Sequence, residues 1–294
     1  MRLKIAILLR ENGNGTDAVS VDNYLIGLMV KEWKKIGINV EILCGTSRFV
    51  QADILINHVD LTVLTDDYRH LMDRYPVVIN RHVLDISKSK ISDHILKKND
   101  NYADPVIVKT DRNFGGMPEK SLASEQHANP SSLANLMGKI ILKLKVKQAV
   151  YVDWAKVDSL EADTYPVYDS LHEVPEDIFN NKNLIVEKFL PEVEGDNYCI
   201  RYYFFFGGKE INFLLKSKDK HVKGLTVSQF EEAPVPSELR SARERLKFDY
   251  GKFDYVIRDG QVVLFDVNRT PGRYFAIKSG CYKYLAEGIF SKLK

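Results

Sequence analysis

The 294-residue chain has only three cysteines, Cys44, Cys199 and Cys281, far apart and with no C-x-x-C pair. That excludes a disulfide framework and a cysteine zinc site, and it fits a reducing compartment. The seven histidines include no H-E-x-x-H and no other ligand spacing. No apolar run approaches the ~20 residues of a membrane span. The opening run "MRLKIAILLR" is too short in its apolar part, Ile5 to Leu9, for a signal peptide, and no small-residue cleavage site follows. The expectation is a cytoplasmic protein with no membrane contact. The formal net charge of +2 lacks the basic excess of a dedicated nucleic-acid binder. The lysine-rich stretches Lys139 to Lys147 and "KSKDKHVK" (216–223) read as solvated faces or loops. Repeats and low-complexity linkers are absent too.

What is present is ordinary globular texture with enough length for a large core. "LKIAILL" reads as a buried strand and "VDNYLIGLMVKEWKKIG" as an amphipathic helix stopped by Gly37, followed by "NVEILCG", "ADILINH", a helix near 66–74 and "PVVINR". This alternation predicts a small parallel α/β domain over 1–85. Gly13 and Gly15 follow the first strand without the third glycine of a dinucleotide fingerprint, so a plain turn is the better reading. Beyond residue 85 come a lysine-bearing helix, "SKSKISDHILKK", and a strand running into a glycine loop, "PVIVKTDRNFGGMP". A stretch at 117–165 offers one amphipathic helix, "SSLANLMGKIILKL". Then follow "NLIVEKFLPEVEG", a hairpin turning at Gly207-Gly208, a helix from Pro236-Ser237 with Leu239, Ala242 and Leu246 on one face, and a last hairpin, "KFDYVIRDGQVVLFDVN".

The end of that hairpin, "LFDVNRTPG", holds the strongest chemical signal. Strand alternation puts Asp266 and Asn268 on one face. This is either a strand fading into a polar turn or two oxygen ligands for a hard cation such as Mg²⁺. A three-residue turn at Arg258-Asp259-Gly260 sets Asp254 opposite Leu264 and brings Asp254, Asp266 and Asn268 to one side; a two-residue turn sends Asp254 to the other face. The sequence reading therefore expects the odd turn. Upstream, Lys109 before "TDRNFGG" suits a phosphate as a point charge beside exposed backbone N–H groups, or is a strand end before an ordinary glycine turn. Glu187 in "VEKFL" is a buried strand end or a partner for a purine edge.

In this order the pieces resemble the ATP-grasp superfamily, which includes D-alanine–D-alanine ligase, glutathione synthetase and the ribosomal-protein glutamate ligases. The resemblance covers roughly residues 86–275. It implies an α/β N-terminal domain (1–85) followed by a two-lobed α+β ATP-grasp fold. The small lobe would be 86–186, with 117–165 as an elaboration, and the C-terminal lobe 187–294. It implies ATP and one or two Mg²⁺ ions as cofactors. Lys109 and Lys90 (or Lys88) would contact phosphates, and Asn113, Phe114, Gly115 and Gly116 would form the loop over the triphosphate. Glu187 would accept from the adenine amino group, Phe189 and Leu190 would offer backbone to the base, and Glu194 or Asp196 would hold the ribose. Asp254, Asp266 and Asn268 would bind the metal. Lys252, Arg201 and Lys216 are the catalytic candidates, and Arg273 the candidate for a substrate carboxylate. The implied activity is an ATP-dependent ligase joining a small-molecule or peptide carboxylate to an amine through an acyl phosphate. The alternatives are a hydroxyl kinase of the same fold and a non-catalytic ATP-binding protein. A homodimer is compatible with the sequence but not derivable from it.

Overall fold

The computed structural model describes residues 3–11, 20–126, 152–161, 165–219, 222 and 227–292. The helix expected within 131–144 and the lysine stretch 139–147 lie outside them. The first sheet is all parallel, in the order β2-β1-β3-β4, from β1 (Lys4–Leu9), β2 (Asn39–Cys44), β3 (Ile54–Asn57) and β4 (Val77–Ile79). The unbroken apolar run of β1 is buried from Ile5 to Leu9, as a parallel strand covered on both faces requires. The helix expected from Val21 begins later. Val21–Asn23 is one 3-10 turn, and Tyr24 is extended because its backbone bridges to Gly272. The α-helix proper, Leu25–Lys35, buries Leu25, Ile26, Met29, Val30 and Trp33, and the chain leaves it at Gly37 with φ +82°.

A second sheet of three antiparallel strands, in the order β6-β5-β7, contains β5 (Val106–Thr110), β6 (Val167–Tyr168) and β7 (Leu184–Lys188). It has its own apolar cluster, with Leu96, Val106, Val108, Ile178 and Val186 at the centre. The lysine-bearing helix expected across 87–98 is a single turn, Lys88–Ile91. Its continuation is captured by the free side of β7: Leu96 N–H donates to Val186 O at 2.8 Å and Lys188 N–H to His94 O at 3.0 Å.

The third sheet is antiparallel and carries β8 (Glu192–Glu194), β9 (Asn197–Phe206), β10 (Lys209–Ser217), β11 (Gln229–Glu232), β12 (Tyr250–Arg258) and β13 (Gln261–Asn268). Its order is β11-β10-β9-β12-β13, with β8 also on β9. Alternation along β9 divides two cores. Tyr202, Phe204 and Phe206 pack with the helix Leu25–Lys35 and the C-terminal helices, whereas Tyr203 and Phe205 pack with Phe253, Tyr255 and the helix Ser237–Arg245.

The β12–β13 hairpin corrects the expected turn. Arg258 pairs with Gln261, so the turn has two residues, and Asp259 (φ 52°) and Gly260 (φ 76°) are both left-handed. Two left-handed residues give a turn whose twist matches that of the strands, which the Asp-Gly pair favours over a three-residue loop. Pairing runs evenly to Tyr255 opposite Leu264, then shifts by one residue, so that Asp254 faces Asp266, Phe253 faces Val267 and Lys252 faces Asn268. Phe265 is the extra residue of a β-bulge. Leu264 and Val267 stay in the core, while Phe265 and Asp266, though adjacent, both line the same cavity. The bulge thus provides the face change that had been assigned to an odd turn, and it sets the two aspartates directly opposite each other.

Candidate functional site

A cavity of about 660 Å³ is lined by strands of the two antiparallel sheets and by segments that lead from the parallel one. β5 and β7 supply Ile107, Lys109 and Glu187, the segment after β7 supplies Phe189, Leu190 and Pro191, and β9 supplies Ile200 and Tyr202. β12 and β13 supply Lys252, Asp254, Val256, Val263, Phe265, Asp266 and Asn268. The opposite wall is Asn23, Tyr24, Asp60, Thr270 and Gly272.

The charged groups are held by specific contacts. Lys109 Nζ lies 2.5 Å from Glu187 Oε2 and 4.9 Å from the centre of the Phe265 ring. Glu187 is buried, and its other oxygen accepts no hydrogen bond from the described residues. The Lys252 ammonium is 2.8 and 2.9 Å from the two Asp254 oxygens and 4.0 Å from the Tyr202 ring centre. Burial opposes the charge of Lys252, but Asp254 beside it outweighs that, and the lysine pKa is raised. Burial likewise pushes the Asp254 carboxyl up, to about 6, with Lys252 opposing and Asp266 reinforcing the shift. Lys88, also buried, donates to Arg112 O at 2.9 Å and stands 3.7 Å from Asp266 Oδ1. Asn268 Nδ2 donates to Asp266 at 3.2 Å, and Asn113 Nδ2 to Asn268 Oδ1 at 3.2 Å, which ties the glycine loop to the hairpin.

The loop itself is strained at Phe114, a non-glycine residue in the left-handed region (φ 48°, ψ 39°), whose ring is exposed. Gly115 follows at φ 64°, and a Cβ there would meet Leu160 O at 2.5 Å, so only glycine passes.

The structure brings Lys109, Asn113, Phe114, Glu187, Phe189, Leu190, Lys252, Asp254, Asp266 and Asn268 to one cavity. Others lie outside its lining. Lys90 is exposed; of the two lysines considered, Lys88 faces the cavity. Gly115 and Gly116 are buried beneath the loop. Arg201 alternates out of phase with Ile200 and Tyr202 and is held by Glu192, with contacts of 2.8 to 3.1 Å. Lys216 pairs with Glu194 and Glu231, and Asp196 is exposed beside Lys218. Arg273 donates to Asp22 O at 2.8 Å. Sequence reasoning missed Tyr24, Asp60, Tyr202 and Phe265 as cavity residues. The first two could be found only from the fold, while Tyr202 is legible from its alternation with Ile200 along β9.

Among the described residues no group of three or more His, Cys, Asp or Glu side chains gathers as a metal cluster. Two facing carboxylates beside a carboxamide are nevertheless a fitting donor set for Mg²⁺, which keeps several waters and takes one or two carboxylates together with substrate phosphates. Asp266 Oδ1 is buried and accepts no hydrogen bond from the described residues, as such a ligand oxygen would be left.

Neither a family model nor a curated protein matches the sequence. Among solved structures, an ATP-grasp ligase associated with RiPPs from Chryseobacterium gregarium, in complex with ADP and a leader and core peptide, is similar over 98% of this chain and 96% of its own, with TM-score 0.52 and 10% identity. The fold is that of the ATP-grasp proteins. Looser likenesses of the same kind are a D-alanine–D-alanine ligase from Bacillus anthracis (TM-score 0.46, 13% identity, 99% of this chain and 97% of that one) and a RimK domain ATP-grasp protein from Sphaerobacter thermophilus (0.47, 9%, 98% and 99%). The ATP-grasp fold here combines one parallel sheet with two antiparallel sheets, and the latter two supply the strands that line the cavity. No helix among its described residues is long and apolar enough to cross a membrane.

Proposed function

We propose that the cavity binds ATP and that the protein is an ATP-dependent ligase, which activates a carboxylate as an acyl phosphate and joins it to an amine. The observation that carries this reading is the bulged hairpin, which turns Asp254, Asp266 and Asn268 toward Lys88, Lys109 and Lys252 in one cavity. Acids grouped with lysines in a partly buried cleft suit a polyphosphate bound with a divalent cation. The nucleotide-bound state of the similar ATP-grasp ligase supports the reading.

The base would lie at the end made by Ile107, Glu187, Phe189 and Leu190, where Glu187 Oε1 is free to accept from an exocyclic amine and the neighbouring backbone can complete the pairing. Lys109 would turn from Glu187 toward phosphate oxygens when a nucleotide enters, because both compete for one ammonium. Asp254, Asp266 and Asn268 would hold Mg²⁺, which when bound neutralises phosphate charge and aligns the terminal phosphoryl group. Lys252, already cationic and fixed by Asp254, would stabilise charge developing during transfer. Phe114 and the glycine loop would exclude water from the acyl phosphate. Amine attack would then release phosphate. The three-part division at residues 85 and 186 belongs to the same proposal.

The test is ATP turnover with pooled amino acids, with and without hydroxylamine. Hydroxamate formation is expected. A phosphorylated alcohol would replace the ligase by a kinase, and tight ATP binding without turnover would leave a sensor.

A further inference from the structure

Most of the lining mixes lysines with the carboxylates of Glu187, Glu192, Asp254 and Asp266, whereas the wall beside the first sheet carries an acid and no lysine. The lysines of the lining, Lys88, Lys109, Lys188 and Lys252, stand on the turn at Lys88–Ile91, on β5, on β7 and on β12. The wall made by Asn23, Tyr24, Asp60, Thr270 and Gly272 contributes one charged group, the carboxylate of Asp60. Tyr24 Oη donates to Asp60 Oδ2 at 2.7 Å and Thr270 Oγ1 to Asp60 Oδ1 at 2.9 Å. Both donors are neutral, so they aim the carboxylate without cancelling its charge. Arg269 acts on Asp60 through its charge, but its hydrogen bonds are made elsewhere. Arg269, buried, donates from its three nitrogens to the backbone carbonyls of Val59, Leu61 and Val83. Arg273, at the head of the following helix, is turned to Asp22 O.

We infer that Asp60, held between Tyr24 and Thr270, is the anchor for a primary ammonium group on the second substrate, which therefore carries a free amine at this end rather than a blocked or anionic one. The inference rests on the nucleotide reading for the word "second", since it takes the Glu187 end for the base. Each Asp60 oxygen keeps a lone pair after accepting one hydroxyl, and a carboxylate gains most from a charged donor. Thr270 lies two residues beyond Asn268, so an ammonium at Asp60 sits beside the end of the hairpin that faces the phosphates. An anionic group there would meet the like charge of Asp60, which the buried Arg269 offsets through space but not by a hydrogen bond, and this selects against it.

The test uses the full chain loaded with a non-hydrolysable ATP analogue and Mg²⁺. Two probe pools are offered, the twenty L-amino acid amides and their N-acetyl counterparts, with binding read by saturation-transfer NMR. The expected result is signal from free-amine probes and none from acetylated ones. Asp60→Asn, checked for an unchanged melting temperature, should weaken the strongest probe at least tenfold and leave the analogue's affinity as it was. Tyr24→Phe keeps the charge and loses one aiming bond, so its effect should be smaller. Equal binding of the two pools, no binding of the free amines, or an Asp60→Asn protein that binds like the wild type overturns the inference. If the analogue does not bind while the amides bind in an Asp60-dependent way, the nucleotide reading fails and the ammonium site stands.

Discussion

At the scale of single residues, the two aspartates of the hairpin are not equivalent. Asp254 holds the buried Lys252 ammonium at 2.8 and 2.9 Å, whereas Asp266 meets buried Lys88 only at 3.7 Å. Asp266→Asn should therefore abolish magnesium-dependent turnover by orders of magnitude while the melting temperature stays within a few degrees. Asp254→Asn should lose the same activity and also about 3 kcal/mol of stability, because it strands Lys252 in the interior. Thermal melts beside turnover assays separate the two outcomes, and Lys252→Met added to Asp254→Asn should restore stability but not activity. His58 makes a different prediction. It is buried against the rings of Tyr24 and Tyr250 with neither nitrogen hydrogen-bonded, and burial, with Arg269 nearby, lowers its pKa to about 3. The unfolded chain then binds the proton first, so this contribution to stability is intact above the ordinary histidine pKa of ~6.5 and shrinks as the pH falls below it. The loss reaches about 2 kcal/mol at pH 5. Urea melts at pH 7.5 and 5 should show that slope in the wild type and a shallower one in His58→Phe.

At the scale of elements, the bulge gives the sharpest test. Removing Phe265 leaves the two-residue turn and the pairs down to Tyr255–Leu264 untouched, and it makes Asp266 the next residue opposite Asp254. The deletion should thus fold, keep magnesium-dependent activity, and lose the ring beneath Lys109, with weaker nucleotide affinity as its mark. A deletion protein that retains the fold but has no activity would show that the bulge does more than absorb one residue. The same hairpin shows where sequence reading reaches its limit. Alternation placed Asp266 and Asn268 on one face and the Asp-Gly pair located the turn, but an extra residue in a strand leaves no local mark. Parity counted from the turn alone therefore went astray. The helix over 87–98 failed for a related reason: its apolar positions suit a helix, yet residues 94–96 have a stronger offer from the open side of β7, which lies 90 residues away in sequence. Arg201 was misplaced although the signal was available, since the apolar residues Ile200 and Tyr202 already claim the inner face of β9. Lys109 and Glu187, on strands with clear ends, needed no such long-range information to be found.

At the scale of the whole molecule, Arg269 is the tie between the hairpin and the first sheet. Its three bonds reach the segments after β3 and after β4, and Asn80 adds others, to Asp249 and Tyr250 at the start of β12. Arg269→Met should cost about 3 kcal/mol, because it removes three interior donors: Leu61 O loses the one it has, while Val59 O keeps only the Leu61 N–H and Val83 O only the longer contact from the Asn57 amide. Denaturant unfolding should then lose its single steep transition, while the far-ultraviolet signal of the native protein stays unchanged. The second sheet, with a cluster of its own, should be affected least. A last consequence follows from the shared core. The helix Leu25–Lys35 is covered by Phe275, Leu285 and Ile289, and Trp33 Nε1 donates to Ala286 O at 2.8 Å. During synthesis this helix must therefore wait for residues made some 250 positions later, with its apolar face open until they arrive. This is the stretch on which a chaperone would be expected to sit.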